Sequence, residues 1–211
     1  DLGFDDTGYV MPELEVNWHE VSTDHTKAGQ ERDGQGRMFR NSALGVSEGA
    51  AEKRDSMNTR IMKMMELRDL DPESHRIIWH DLEDERRSIE AAIPTVKSVY
   101  GSQKLEEREA AIIAFSDGEI AEVAAKPMML GSGTNLQRHC SWAIYLGIGF
   151  KFHDFIQSVH RLQRFGQKNI VRLDLIYTEA EREIRRSLEG KWKRHNEMVA
   201  HMRTIVKEYG L

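Results

Sequence analysis

The sequence predicts an α/β protein with a parallel sheet that is covered by helices on both faces. From residue 76 onward, short apolar runs alternate with segments of helical periodicity. Runs of this kind are expected of strands that are buried on both sides, as in parallel sheets. The chain has 211 residues, 39% hydrophobic and 31% charged, which is typical of a folded globular domain. This composition excludes collagen-like and largely disordered chains.

Turn residues delimit the elements in order along the chain. The predicted strands cover residues 15–21, 76–80, 95–100, 120–126, 140–146 and 171–177. The predicted helices cover residues 50–70, 83–93, 105–115, 152–164 and 178–209, the last with a potential break at Gly190. Ligands of parallel sheets bind beyond the carboxyl ends of the strands. We therefore expect functional residues near 80–83, 101–104, 127–135 and 147–153.

The charge of the chain is unevenly distributed. The formal net charge of −5 argues against an anionic partner such as nucleic acid. Residues 126–211, however, hold 15 Lys and Arg against 8 Asp and Glu, and the first 125 residues are acidic. A basic part within an acidic protein indicates either an anionic ligand or a solvated helix surface.

Several classes of protein are excluded by what the sequence lacks. No apolar run approaches the roughly 20 residues that cross a bilayer, and no signal peptide opens the chain. The single cysteine, Cys140, has no partner in the chain, which favours the reducing cytoplasm. The nine histidines show no zinc-ligand spacing, so no metal site is predicted. Because the chain starts with Asp1 in turn-rich sequence, we interpret it as a piece of a longer protein.

The segment from Gln157 to Gln167 is the most informative one. On a helix, Phe155, Val159 and Leu162 share one face, and Gln157, Arg161 and Arg164 lie on nearly the opposite face. Two guanidinium groups would then point together away from the core. Arginine suits phosphate oxygens because it offers a planar fork of donors. The alternative interpretation is an exposed basic helix surface without a ligand.

A second segment, Gly131-Ser132-Gly133-Thr134-Asn135-Leu136, is a glycine-rich turn after a strand. Glycine allows backbone amides to approach a phosphate or a ribose closely. The segment lacks the third glycine of the dinucleotide-binding fingerprint, so it does not by itself indicate a nicotinamide or flavin cofactor.

Four ordered motifs resemble the C-terminal RecA-like lobe of superfamily 2 helicases, closest to the Swi/Snf-type DNA translocase branch. Motif VI of that family reads Q-x-x-x-R-x-x-R-x-G-Q, and Gln157, Arg161, Arg164, Gly166 and Gln167 occupy its fixed places. Motif V ends in G-x-G-x-N-L, which is similar to residues 131–136. Motif IV resembles residues 77–80, and a following strand, Gly-Ser turn and helix resemble residues 100–115. The likeness covers residues 76–186.

The resemblance implies an ATP-driven motor of two RecA-like lobes, of which this chain would be the second. Arg161 and Arg164 would contact the γ-phosphate of ATP, one of them as the arginine finger. ATP and Mg²⁺ would be held mainly by the absent N-terminal lobe of the same protein. In this lobe, the residues implied in ATP binding are Gly133, Asn135, Gln157, Gly166 and Gln167. The residues implied in contacts with the nucleic-acid backbone are Gly101, Ser102, Ser132 and Thr134.

The same resemblance sets the expected domain organisation and partners. Residues 1–50 would form an irregular lead-in or interlobe segment, residues 51–177 the RecA-like lobe, and residues 178–211 a long C-terminal helix that braces the lobes or packs on this one. The expected partners are double-stranded DNA, the N-terminal lobe and a neighbouring DNA-modification module, with no membrane.

The sequence departs from the family pattern in ways that bear on activity. Lys126-Pro127-Met128 stands where family members carry Ser/Thr-Lys, and His160 stands where an acidic residue is common. No G-x-x-x-x-G-K-[ST] segment occurs, so the isolated chain is expected not to hydrolyse ATP. The alternative function is a non-catalytic RecA-like scaffold that binds DNA or a protein, although a scaffold has no need of the arginine pair.

Overall fold

Six parallel strands form one sheet in the computed structural model, which describes residues 11–23, 46–130, 135–149 and 151–209. The strands are β1 (Leu14–Val21), β2 (Arg76–Trp79), β3 (Lys97–Val99), β4 (Glu122–Ala125), β5 (Trp142–Tyr145) and β6 (Val171–Thr178). Their order across the sheet is β1-β6-β5-β2-β4-β3, and every neighbouring pair is parallel. The predicted α/β architecture is therefore confirmed.

Helices cover both faces of the sheet. They are α1 (Val46–Asp55), α2 (Met57–Asp69), α3 (Glu83–Ala92), α4 (Leu105–Ser116), α5 (Phe152–Leu162) and α6 (Arg182–Tyr209). Short 3₁₀ helices occupy Pro127–Met129, Leu136–Arg138 and Glu179–Glu181. The core side chains of α2 and α3 pack on one face, and those of α4, α5 and α6 pack on the other. None of the helices in the described ranges is long and apolar enough to cross a membrane.

Two sequence-based boundaries differ from the structure. The helix predicted over residues 50–70 is two helices, because the chain turns at Ser56 between α1 and α2. The C-terminal helix is not broken at Gly190, which lies inside α6. A single glycine costs only about 1 kcal/mol in a helix interior, too little to interrupt 28 residues of helix.

Alternating side chains of the central strands build both halves of the core. Ile77 and Val123 point to the face that α4, α5 and α6 cover, whereas Ile78, Ala124 and Ile144 point to the face that α2 and α3 cover. All five are fully buried. Burying one large aliphatic side chain stabilises the fold by about 1.5–3 kcal/mol, so these strands anchor the sheet.

Strand β1 belongs to this sheet, although its residues were expected to lie in an irregular lead-in or interlobe segment before the lobe. It pairs with β6 over its whole length, from Leu14 opposite Val171 to Val21 opposite Thr178. Leu14, Val16 and Trp18 pack against the core. Local periodicity identifies a strand but not its partner, and β6 lies far away along the chain. Residues 1–10 and 24–45 lie outside the described ranges.

Candidate functional site

Arg161, the first arginine of the segment that resembles motif VI, lies on helix α5, and the apolar side of this helix is packed in the core. Phe155, Val159 and Leu162 are buried in the core, as the helical spacing predicts. On the other side of the helix, Gln157 is exposed and Arg161 is partly exposed. Since the apolar face is fixed, the position of the Arg161 Cα is fixed with it.

Arg164 does not lie on the helix, contrary to the sequence-based expectation. Helix α5 ends at Leu162, and the Arg164 amide donates to the carbonyl oxygen of Leu162 at 3.0 Å. The preceding amide of Gln163 makes the last helical bond, to Val159, at 2.9 Å. The chain then leaves the helical path, so Arg164 is presented by the turn after α5.

The two guanidinium groups are nevertheless close enough to influence each other. Burial lowers the pKa of Arg161, and the positive charge of Arg164 lowers it further. Within the described part of the chain, no carboxylate forms an ion pair with Arg161. The positive charge of Arg164 thus disfavours the charged form of Arg161, and a bound anion would offset this effect.

The turn that carries Arg164 is fastened by the two residues that end motif VI. Gly166 has a φ of +85°, in the left-handed region that favours glycine. The buried side chain of Gln167 donates from Nε2 to the Cys140 carbonyl oxygen at 2.9 Å and accepts the Asn169 amide at 3.0 Å. Gln167, expected to bind ATP, thus has its amide occupied by backbone groups and holds the turn against the start of β5.

The remaining ATP candidates differ in how they are placed. Nε2 of Gln157 lies 2.8 Å from Nε2 of His153, one turn earlier on α5. Asn135 is exposed, and its carbonyl oxygen accepts a hydrogen bond from Ser116 Oγ at 3.4 Å. Ser132, Gly133 and Thr134 lie outside the described residues.

The candidate residues divide between opposite edges of the sheet. Helix α5 returns the chain from the carboxyl end of β5 to the amino end of β6, so the arginine pair lies at the amino edge. Consistent with this placement, Gln163 Nε2 donates to the carbonyl oxygen of Pro12, just before β1, at 3.2 Å. Gly101 and Ser102 are exposed at the carboxyl end of β3, where strand-end rules place ligands.

Residues 126–140 run from the carboxyl edge to the amino edge. This segment begins at Lys126 after β4 and reaches Cys140 before β5. Its two 3₁₀ helices, Pro127–Met129 and Leu136–Arg138, both pack against α5. The two described parts of this connection, 126–130 and 135–140, therefore both contact the helix that carries Arg161.

Sequence reasoning missed a buried charge cluster at the carboxyl edge. Lys53 of α1 is buried and pairs with Asp81, after β2, at 2.5 Å. Beside it, Glu85 Oε2 accepts the amides of Asp81 and Leu82 at 2.7 and 2.8 Å and thereby caps α3. Residue spacing does not predict this cluster, because Lys53 and Asp81 are far apart in sequence and come into contact only in the tertiary structure.

The acidic run that follows β2 does not converge on a metal. Asp81 pairs with Lys53, Glu83 with Arg86, and Asp84 with Arg54. Among the residues that the structure describes, no group of three or more His, Cys, Asp or Glu side chains is arranged to hold a metal ion. These carboxylates serve helix capping and ion pairing.

The parallel sheet, its helices and the motif VI turn define an α/β protein of the RecA-like class. The chain matches the crystal structure of the C-terminal part of the Fun30 ATPase domain with a TM-score of 0.55 and 21% identity, covering 64% of this chain and 46% of that one. It matches a DEAD box protein from the hyperthermophile Methanococcus jannaschii with a TM-score of 0.59 and 14% identity, covering 86% of this chain and 40% of that one. No protein-family model and no curated protein matches.

The chain therefore has the fold of a helicase-type C-terminal RecA-like lobe, as the motif resemblance implied. It spans less than half the length of these two solved structures. At these identities the likeness concerns the fold, and activity has to be argued from the chain's own residues.

Proposed function

We propose that this chain is the second motor lobe of an ATP-dependent DNA helicase or translocase and that it supplies an arginine finger to ATP bound on a first lobe. The observation that carries the proposal is the pair Arg161 and Arg164, close enough for one charge to lower the pKa of the other guanidinium. The helicase-type fold supports the same assignment.

The chemical role proposed for the pair depends on how the backbone holds the two arginines. ATP with Mg²⁺, held mainly by the first lobe, supplies the phosphoryl group when bound. Arg161, held by the packed helix, and Arg164, held by the Gly166–Gln167 turn, offer planar donor forks to phosphate oxygens without a large rearrangement of the backbone. The negative charge that develops on the transferring phosphoryl group would then be stabilised by the donors of these arginines. Stabilisation of this kind is the main source of catalysis in phosphoryl transfer.

Further residues complete the proposed nucleotide and nucleic-acid contacts. Gln157 and Asn135 are exposed and have polar groups available to the nucleotide, with Gly133 beside Asn135 in sequence. On the opposite edge, Gly101 and Ser102 are exposed, and we propose that they, with Ser132 and Thr134, face the backbone of DNA. Contacts of this type read phosphate and not base sequence. The segment over residues 126–140 would couple the two edges.

The finger assignment is tested by Arg164→Ala in the protein that contains both lobes. ATP turnover is expected to fall by at least about 10³-fold, because arginine fingers contribute roughly 10³–10⁵ in rate. Arg164→Lys keeps the charge but not the fork and is expected to restore little of the rate. A matched control is Arg87→Ala, since Arg87 is exposed on α3, on the opposite face of the sheet from α5.

Steady-state ATPase assays with and without DNA provide the readout, and circular dichroism checks that each variant folds. If Arg164→Ala and Arg161→Ala both turn over ATP within a few-fold of the unaltered protein, the pair is not a finger. The non-catalytic scaffold then becomes the better interpretation.

A further inference from the structure

A cavity of about 280 Å³ opens at the carboxyl edge of the sheet, away from the arginine pair. Its walls include Asp81 and Leu82, which follow β2, and Gly147 to Gly149, which follow β5. Strands β2 and β5 are neighbours, but the helices that follow them, α3 and α5, cover opposite faces. This is the point where the winding of the sheet reverses, and in open α/β sheets ligands bind there.

The interior of the cavity is apolar. Its lining comes from β5, β6, α5, α6 and the loop after β5. These residues are Tyr145, Ile148, Phe155, Leu175, Ile184 and Leu188. All of them belong to the hydrophobic core that α5 and α6 cover. A polar ligand without an apolar part would therefore gain little from entering.

The mouth of the cavity is charged, with more cations than carboxylates. The charged residues of the lining are Lys53, Lys126, Lys151, Asp81 and Asp154. Lys53 is buried, whereas Lys126 is partly exposed and Lys151 is exposed. Lys53 is already paired with Asp81 at 2.5 Å. Among the described residues, no carboxylate forms an ion pair with Lys126 or Lys151. Lys126 follows β4 and Lys151 precedes α5, so two separate segments each contribute to the lining an ammonium group that can interact with an anion.

We propose that this cavity binds a small amphipathic anion: an aromatic or branched aliphatic body in the apolar interior and one carboxylate or phosphate group between Lys126 and Lys151. Taking about 30 Å³ for each water-sized volume, the cavity has room for roughly ten heavy atoms. That places it near the lower end of the range for small-molecule pockets, roughly 300–1,000 Å³. The ammonium group of lysine can bind a carboxylate or a phosphate, because it is a compact point charge without a fixed donor geometry.

The inference does not rest on ATP hydrolysis or on DNA binding. The cavity lies at the carboxyl edge and the arginine pair at the amino edge, so failure of one assignment leaves the other intact. A direct binding assay on this chain tests the cavity without any enzymatic readout.

The probe is phenylacetate, an aromatic anion of about ten heavy atoms that matches the volume of the cavity, titrated into the full chain by isothermal titration calorimetry. Saturable binding to one site is expected. Lys151→Glu, at an exposed residue, and Lys126→Glu should each weaken the affinity by about tenfold or more. Ala50→Phe, on the wall formed by α1, should narrow the mouth and lower the affinity as well. Lys97→Glu is the matched control, because Lys97 is exposed at the amino end of β3.

A parallel titration with phenyl phosphate identifies the preferred head group, and saturable binding of either aromatic anion to one site supports the proposal. Four results overturn it. The first is a titration that is the same for the unaltered chain and for folded Lys151→Glu, and the second is no saturable binding of either aromatic anion. The third is equally tight binding of inorganic phosphate, which would mean that the apolar body contributes nothing. The fourth is binding of a short DNA duplex without binding of the aromatic anions, which would assign the mouth to nucleic acid.

Discussion

At the scale of single residues, Asp174 is a buried carboxylate that its polar neighbours stabilise in the charged form. The carboxylate is fully buried and accepts hydrogen bonds from His19 Nε2 at 2.7 Å and Trp142 Nε1 at 2.6 Å, and Arg172 forms an ion pair with it at 2.7 Å. Burial alone raises the pKa of Asp174, but the three partners outweigh burial and hold the pKa below its ordinary value. The charged form is thus favoured by folding.

Asp174→Asn is expected to lower the free energy of unfolding at neutral pH by about 1–3 kcal/mol, because the amide replaces an acceptor with a donor. Since the folded pKa is below the unfolded one, the stabilisation by Asp174 is present above the unfolded pKa and is lost as the pH falls through the folded pKa. Urea denaturation at a series of pH values should show the two proteins converging below about pH 4. The exposed Asp117 provides a control, Asp117→Asn, with little effect at any pH. A difference that persists unchanged in acid would rule out the charge as its source.

Two glycines give a matched pair of substitutions with opposite signs. A Cβ at Gly147 would lie 2.8 Å from Lys53 Cε and 3.1 Å from both Arg60 Nη1 and Glu85 Oε1. Gly147→Ala is therefore expected to destabilise the protein by about 1–3 kcal/mol, because the buried charge cluster has to shift. At Gly190, inside α6, a Cβ would meet no atom within 4 Å, so Gly190→Ala should stabilise by about 0.5–1 kcal/mol. Thermal denaturation measures both, and a neutral Gly147→Ala would mean that the cluster is loosely packed.

At the scale of the elements, Arg60 fastens α2 to the carboxyl ends of two strands. It is fully buried and donates to the carbonyl oxygens of Leu146 and Ile176 at 3.1 and 3.2 Å. Its Nη2 donates to Glu181 Oε2, in the 3₁₀ helix before α6, at 2.6 Å. One side chain thus joins α2, the ends of β5 and β6, and the start of α6.

Removing Arg60 and leaving Glu181 in place should lower the free energy of unfolding strongly. Arg60→Met is expected to destabilise the protein by about 3–5 kcal/mol, because Glu181 is left as an unpaired buried charge. Adding Glu181→Gln, which can still accept the Thr178 amide, should recover part of the loss. Chemical denaturation of the two single variants and the double variant forms a double-mutant cycle. Strict additivity would show that the two side chains do not depend on each other.

The apolar side chains of helix α6 are buried in its first half and exposed in its second half. Leu188 is buried, and the Trp192 ring lies 5.6 Å from that of Phe155 on α5. Further along, Met198 and Met202 are more than half exposed. The first half of α6 therefore packs on the body of the lobe, whereas these apolar side chains of its second half face solvent.

At the scale of the whole molecule, the chain folds as one sheet with its two candidate surfaces at opposite edges. The arginine pair lies at the amino edge, whereas Gly101, Ser102 and the cavity lie at the carboxyl edge. The segment over residues 126–140 connects the two edges and packs against α5.

The isolated chain is expected to show no ATPase activity above background, with or without DNA. An arginine pair can assist phosphoryl transfer, but the sequence contains no P-loop to hold the phosphates and Mg²⁺. Phosphate release assays on the purified chain measure this directly, and Arg161→Ala should make no difference in that setting. Clear DNA-stimulated hydrolysis by this chain alone would contradict the two-lobe proposal.

Some features of the fold and of the candidate site could be predicted from the sequence, and others could not. The buried strands Arg76–Trp79 and Val171–Thr178 and the packed face of α5 follow from local periodicity, and the motif order led to the correct fold. The placement of Arg164 did not follow, because helical spacing says nothing about where a helix stops. Nor did the role of Gln167, whose hydrogen-bond partner Cys140 belongs to another segment.

The sequence by itself determined the alternation of strands and helices and the fold class, because these depend on patterns and motifs of residues that are near each other along the chain. Only the tertiary structure decided that β1 completes the sheet, that Lys53, Arg60, Glu85 and Gly147 form one buried cluster, and that a cavity opens between β2 and β5. Those features join residues that are remote in sequence. Their contacts come from chain topology and side-chain packing, which local patterns do not encode.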